Sequence, residues 1–242
     1  MKIQVRNELI KINNLTITEQ LIFLIESLSQ IRKLRLSEES KNQAIIGAMV
    51  ADLFSMNKVG LVNNKVVVTN TEKTQFGFLN RFIDDLQSQD KRKFIIDIIH
   101  CYQYKGESIQ QDILDTLVEE DLLLETRGLI PFVGSKEFQV RDRDIISKIN
   151  ERIQVSLTND SSLEKESIYL LAILQAIGVL KRFFYTSVDF NEKKKKRLQE
   201  LMKEEYLAKM IYEAIKQQPE SDSLAMVEMP PLHFSAGLKG IY

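Results

Sequence analysis

Cysteine occurs once in the 242 residues, histidine twice and tryptophan not at all. The single thiol, Cys101, cannot close an internal disulfide, which suits a reducing compartment. His100 and His233 leave a poor catalytic inventory. No HExxH, CxxC, GxSxG, Walker loop or GxGxxG is present. The chain therefore reads as a protein without catalysis, cofactor or metal. An excess of one charge is missing too: 33 Lys and Arg stand against 34 Asp and Glu. Nothing global then draws it to nucleic acid or acidic membrane, and such binding needs a local patch. A membrane span needs about 20 apolar residues, and the run Ile168 to Leu180 is too short. The opening MKIQVRNELIKINN has no apolar h-region. The expectation is a cytoplasmic protein, or one held peripherally on a membrane.

What is present is a helical pattern around one apolar stretch. Ile168 to Leu180, IYLLAILQAIGVL, is apolar on every face, with Gln175 its one strongly polar member. Such a helix is buried. It is expected to form the core and run to about Tyr185. The fold class expected is mostly α, a single-domain helical bundle around this helix, with two small β-hairpins. Residues 1–14 are expected to be loosely ordered, 15–217 to form the domain and 218–242 a flexible tail.

Local signals mark the elements. Thr16 and Glu19 make a capping box ahead of a stripe through Leu21, Leu24, Ile25 and Leu28. Ser37 caps a second helix with Ile45, Ala48, Met49, Asp52, Leu53 and Met56 on one side. Gly47 inside that helix implies close packing. Val59 to Thr69 reads as a hairpin turning at Asn63-Asn64, residues that tolerate positive φ. Helices follow at about 77–87 and 91–102. Ser108 and Gln111 suggest a second capping box, for a helix burying Ile109, Ile113, Leu114, Leu117 and Val118. A second hairpin over 122–140 turns near Gly128 or beyond. Asp142 caps a helix through Ile145, Ile149 and Ile153. Two amphipathic helices are expected near 191–202 and 204–217.

Several features admit a chemical reading and a plain one. His100 lies on an apolar helix and reads as a core or rim histidine. Asp112 and Asp115 share a helix face, as metal carboxylates would, but without a third ligand they read as a solvated face. Lys193 to Arg197, KKKKR, reads as an exposed helix turn that can also meet anionic lipid. Leu129, Ile130 and Phe132 lie where the second hairpin turns, and turns are normally polar. They either fold back onto the core or contact a bilayer interface or partner. Helix-then-hairpin also describes a winged helix. From Glu107 to Thr126, however, there are seven acids and no Lys or Arg. That charge repels a duplex, so nucleic acid is not an expected partner.

Taken together and in order, LTITEQLIFLIESL, IIGAMVADLFSMNKVGLVNNKVVV, TLVEEDLLLETRGLIPFV and IYLLAILQAIGVLKRFF resemble the Golgi phosphoprotein 3 family over about Leu15 to Lys216. The resemblance implies an all-α core with small hairpins. It also implies phosphatidylinositol 4-phosphate binding on Golgi membranes and an adaptor role for glycosyltransferases, as in the eukaryotic members. The family's headgroup site uses one Trp and three Arg. The matching positions here are Ser37, Ile46, Glu107 and Gln110, so none is retained, and the long basic N-terminal extension is missing. These departures mark a divergent member of bacterial type.

The leading reading is a non-enzymatic peripheral membrane or adaptor protein. Leu129, Ile130 and Phe132 supply the contact, and Arg35, Lys41, Lys105 and Arg127 are the phosphate or headgroup candidates. The partner is then an anionic lipid surface or a protein. The alternative is a protein-interaction module whose hairpin docks into a partner or, by self-association through 122–140, into a second copy. A third is a winged-helix-like regulator.

Overall fold

The first helix, α1 (Ile17–Arg32), begins at a buried polar knot. The Glu19 carboxylate accepts from the Thr16 N–H at 2.8 Å and from its hydroxyl at 3.0 Å, while Thr16 Oγ1 accepts the Glu19 N–H at 3.0 Å. This is the expected capping box. A second carboxylate arrives from far along the chain. Asp52 accepts from the Ile17 N–H at 2.6 Å, the Thr18 N–H at 3.0 Å and the Thr18 hydroxyl at 2.5 Å. Asp52 is thus not a member of a helical stripe; it caps α1 from the next helix.

The computed structural model describes residues 15–32, 36–89, 92–127, 136–158, 164–180 and 192–217. The expected order within 1–14 and 218–242 falls outside these residues. The second helix, α2 (Glu38–Ser55), opens with Ser37 Oγ accepting the Ser40 N–H at 3.1 Å. Gln43 through Leu53 are all buried, so α2 is enclosed on every side and not along one stripe. Its small residues make this possible. At Gly47 a β-carbon would stand 3.0 Å from Ile215 Cδ1 and 3.2 Å from Ile211 Cγ2. Strands β1 (Val59–Val62) and β2 (Lys65–Val68) pair antiparallel, with Asn63 at φ 53° and Asn64 at φ 62°. That double positive φ is the tight hairpin turn that Asn-Asn favours.

Helix α3 (Gly77–Gln87) buries Phe78, Leu79, Phe82 and Ile83. Helix α4 (Ile95–Tyr102) starts later than its periodicity suggests. Phe94 bridges to Lys65 of the hairpin, and the Asp97 carboxylate accepts the Phe94 N–H at 3.2 Å. A 3-10 turn over Gln103–Lys105 joins α4 directly to α5 (Gly106–Glu119). The expected capping box at Ser108 is therefore wrong. The Ser108 hydroxyl donates to the Lys105 carbonyl at 2.9 Å, and the Gln111 amide donates to Asp115 at 2.7 Å. The helix opens at Gly106, where a β-carbon would stand 2.4 Å from Asn42 Cβ on α2, so only glycine fits that approach.

Strands β3 (Leu123–Arg127) and β4 (Lys136–Val140) pair antiparallel from Leu123↔Val140 to Arg127↔Lys136. Helix α6 (Arg143–Thr158) is opened by Asp142, whose side chain accepts the Asp144 N–H at 2.8 Å. The apolar helix α7 is shorter than expected. It covers Lys165–Ala176 and ends in a Schellman turn. Gly178 sits at φ 73°, its N–H reaches the Gln175 carbonyl at 3.1 Å, and the Val179 N–H reaches the Leu174 carbonyl at 3.1 Å. Helices α8 (Glu192–Glu204) and α9 (Tyr206–Lys216) complete the described chain. Helix α7 packs on both α2 and α9, and α2 also meets α1, α4 and α5. The core thus has two central helices, α2 and α7, in a mostly helical fold with two separate two-stranded hairpins.

Candidate functional site

Of the contact residues read from sequence, Leu129, Ile130 and Phe132 lie outside the described residues, as does Arg35. Arg127 pairs with Lys136 of β4, the last described pair of the hairpin. At the base of the hairpin, Leu123 and Phe138 are buried while Leu124 is 40% exposed.

The two remaining cations are engaged with acids. Lys41 Nζ donates to Glu38 at 3.3 Å, one turn back on α2. Lys105 Nζ pairs with Asp85 at 2.8 Å and lies 5.3 Å from the centroid of the Tyr102 ring. The acid between α1 and α2 escaped the sequence reading. Glu26 is pushed above the usual carboxylate range by burial, which the Lys41 ammonium opposes and the Glu38 carboxylate reinforces. The Gln110 amide of α5 lies 3.5 Å from its Oε1.

This neighbourhood contains most of the positions matched to the family's headgroup residues. Ser37 is used as the cap of α2, Gln110 is buried against Glu26, and Glu107 is exposed on the first turn of α5. Ile46 is 0% exposed and belongs to the core. Of these four positions only Glu107 is charged, and it is a carboxylate.

His100 is accounted for by the Ala214 carbonyl of α9, 3.2 Å from its Nε2. Cys101 is exposed, with Lys93 Nζ at 3.5 Å from its sulfur. Asp112 pairs with Arg81 at 2.6 Å, and Asp115 bonds Gln111, so the two serve separate partners. Lys193 to Arg197 occupy the start of α8, but they are not one exposed turn. Lys194 is 6% exposed, Lys195 pairs with Glu192, and Arg197 lies 3.9 Å from Glu200. Among the described residues, no three His, Cys, Asp or Glu side chains gather to hold a metal ion, and no helix is long and apolar enough to cross a membrane.

Sequence reasoning also missed a cleft of about 300 Å³ between α3 and the joined α4–α5 segment. Its apolar part is made by Met49, Phe78, Phe82 and Ile109. Two ion pairs cross it, Arg81–Asp112 and Lys105–Asp85. The available signal was the i, i+4 spacing of Arg81 and Asp85, on the same side of α3 as Phe78 and Phe82.

A family model described as Golgi phosphoprotein 3 (GPP34) matches residues 19–218 of the chain. No curated protein matches it.

Proposed function

The chain belongs to the Golgi phosphoprotein 3 family, and from that premise we propose that it is a non-catalytic peripheral membrane or adaptor protein. Membership supports a lipid-binding or adaptor role at the level of the family. The contact is assigned to the β3–β4 hairpin. The observation that supports it is the register: the strands pair antiparallel as far as Arg127↔Lys136, the last described pair, and Leu129, Ile130 and Phe132 follow Arg127 in sequence. Three large apolar side chains at one turn gain about 1.5–3 kcal/mol each when fully buried. A bilayer interface or a partner's apolar surface supplies that burial. Net charge is −1, so attachment depends on the turn and only weakly on salt.

Liposome flotation tests the assignment. Changing Leu129, Ile130 and Phe132 together to Ser is expected to abolish flotation, or partner capture and self-association through 122–140, while helical circular dichroism and melting temperature stay nearly unchanged. A triple variant that unfolds would assign these residues to the core. A folded variant that still binds would move the contact elsewhere.

Lipid selectivity is expected to depart from the eukaryotic pattern. Ser37, Ile46, Glu107 and Gln110 cannot supply the bidentate guanidinium contacts that a phosphomonoester needs, and Glu26, Glu38 and Glu107 repel it. Titration with short-chain phosphatidylinositol 4-phosphate is expected to show weak or no selective binding. Saturable micromolar binding, poorly competed by other phosphoinositides, would refute this. The acids of α5, among them Glu107, Asp112 and Asp115, likewise speak against a nucleic-acid partner.

A further inference from the structure

We infer that the cleft between α3 and the α4–α5 segment binds a zwitterionic phospholipid headgroup, a phosphate ester and an ammonium separated by two carbons. This rests on the peripheral-membrane reading and assigns it a ligand class. The argument starts from the charges. Arg81 and Lys105 face Asp84, Asp85 and Asp112 around one opening. Cations and carboxylates alternate across it as two rungs, Arg81–Asp112 at 2.6 Å and Lys105–Asp85 at 2.8 Å. A purely anionic ligand, such as a phosphorylated inositol, meets three carboxylates. A simple cation meets two like charges. A ligand bearing both signs can replace both partners of each rung, its phosphate between Arg81 and Lys105 and its ammonium against Asp85 and Asp112.

The rungs are easy to open. All four side chains are about half exposed, between 45% and 64%, and exposed ion pairs of this kind add little to stability. The surface beneath suits the ammonium as well. Phe78 and Phe82 lie one turn apart on α3, and the Phe82 ring is fixed edge-on to Tyr102 with centroids 5.0 Å apart. The ammonium's methyl groups lie against the part-exposed Ile109, with Met49, Phe78 and Phe82 buried beneath as the apolar floor. A volume of about 300 Å³ accommodates a small headgroup. The cleft uses Ser108, Ile109 and Asp112 of α5, whereas the positions matched to the family's headgroup site on that helix are Glu107 and Gln110.

The test uses the full chain, isotope-labelled, titrated with soluble phosphocholine and followed by amide chemical shifts. Saturable shifts centred on residues 78–85 and 105–112 are expected, with a dissociation constant in the millimolar range, ordinary for a ligand of this size. Arg81→Ala with Lys105→Ala, and separately Asp85→Ala with Asp112→Ala, are each expected to weaken binding by about tenfold or more. Choline alone, inorganic phosphate and inositol 1,4-bisphosphate are expected to bind at least about tenfold more weakly than phosphocholine. No saturable shift, shifts elsewhere, unaffected variants, or tighter inositol bisphosphate binding would each overturn the inference. Flotation on phosphatidylcholine vesicles identifies the source. Loss in the Arg81→Ala, Lys105→Ala variant supports the lipid. Soluble binding with unchanged flotation assigns the cleft to a free zwitterion and overturns the lipid source. Flotation that requires Leu129, Ile130 and Phe132 while phosphocholine fails to bind leaves the hairpin assignment standing and removes this one.

Discussion

Leu174→Ala is expected to cost about 2–5 kcal/mol, read from urea or thermal unfolding with circular dichroism. Leu174 is 0% exposed, on a helix whose residues from Ser167 to Leu174 are all buried. The truncation removes three carbons from a close-packed interior. The neighbours cannot all relax, because α7 is held by α2 on one side and α9 on the other. Its carbonyl also accepts the Val179 N–H that closes the Schellman turn, so the site is tied at the backbone as well. A loss under about 1 kcal/mol, the size of a surface substitution, would place the centre of the fold elsewhere.

Asp52→Ala is expected to be of similar or larger size, about 3–5 kcal/mol. Three donors lose their acceptor: the N–H groups of Ile17 and Thr18 and the Thr18 hydroxyl. All are buried, so water does not replace the carboxylate, and each orphaned group costs about 1–3 kcal/mol. Asp52→Asn is expected to cost less, because its amide oxygen still accepts one N–H while its amide nitrogen faces the other donors. The pH dependence carries a further sign. Burial pushes the Asp52 carboxyl up to about 7, against the three donors that favour its ionised form. The folded state therefore holds this proton to higher pH than the unfolded chain, whose ordinary value is 3.8. The contribution is fully present below about pH 4 and is lost as pH rises through about 7. Glu26, raised by its own burial, adds a slope of the same sign. Melting temperatures measured across this window are expected to fall less steeply with pH in Asp52→Asn than in the parent. Equal slopes would mean that Asp52 is ionised throughout.

Short-range signals in the sequence proved reliable because the groups that answer them are neighbours. Thr16 and Glu19, Ser37 and Ser40, Asn63-Asn64, and Asp142 with Asp144 each act within a few residues. The errors came from partners far along the chain. Ser108 and Gln111 fit a capping pattern, but the chain is already helical from Gly106, where Asn42 of α2 leaves room only for glycine. The all-apolar run from Ile168 hides its own end, since no polar residue marks the break that Gly178 makes. Helix α2 looked one-sided because Gly47, Ala44 and Ala51 carry little apolar weight, although all three are buried and the small size of Gly47 is what admits Ile211 and Ile215 of α9. The cleft charges Arg81 and Asp112 lie 31 residues apart, so their convergence cannot be read from spacing.

The double cap of α1 has a consequence for synthesis. Its local half, Thr16 with Glu19, leaves the ribosome almost together with the helix it starts. Its distant half, Asp52, follows Ile17 and Thr18 by 35 and 34 residues. At about 5–20 residues per second, that gap is roughly 2–7 s of translation. During this interval the nascent helix can begin, but its apolar side through Leu21, Phe23 and Leu24 has no α2 to lie against. The same residues that complete the cap deliver that cover, because Asp52 sits between Ala51 and Leu53 on the enclosed helix. Docking and capping thus become one event in time, and α1 is a segment the chain can start alone but not finish alone.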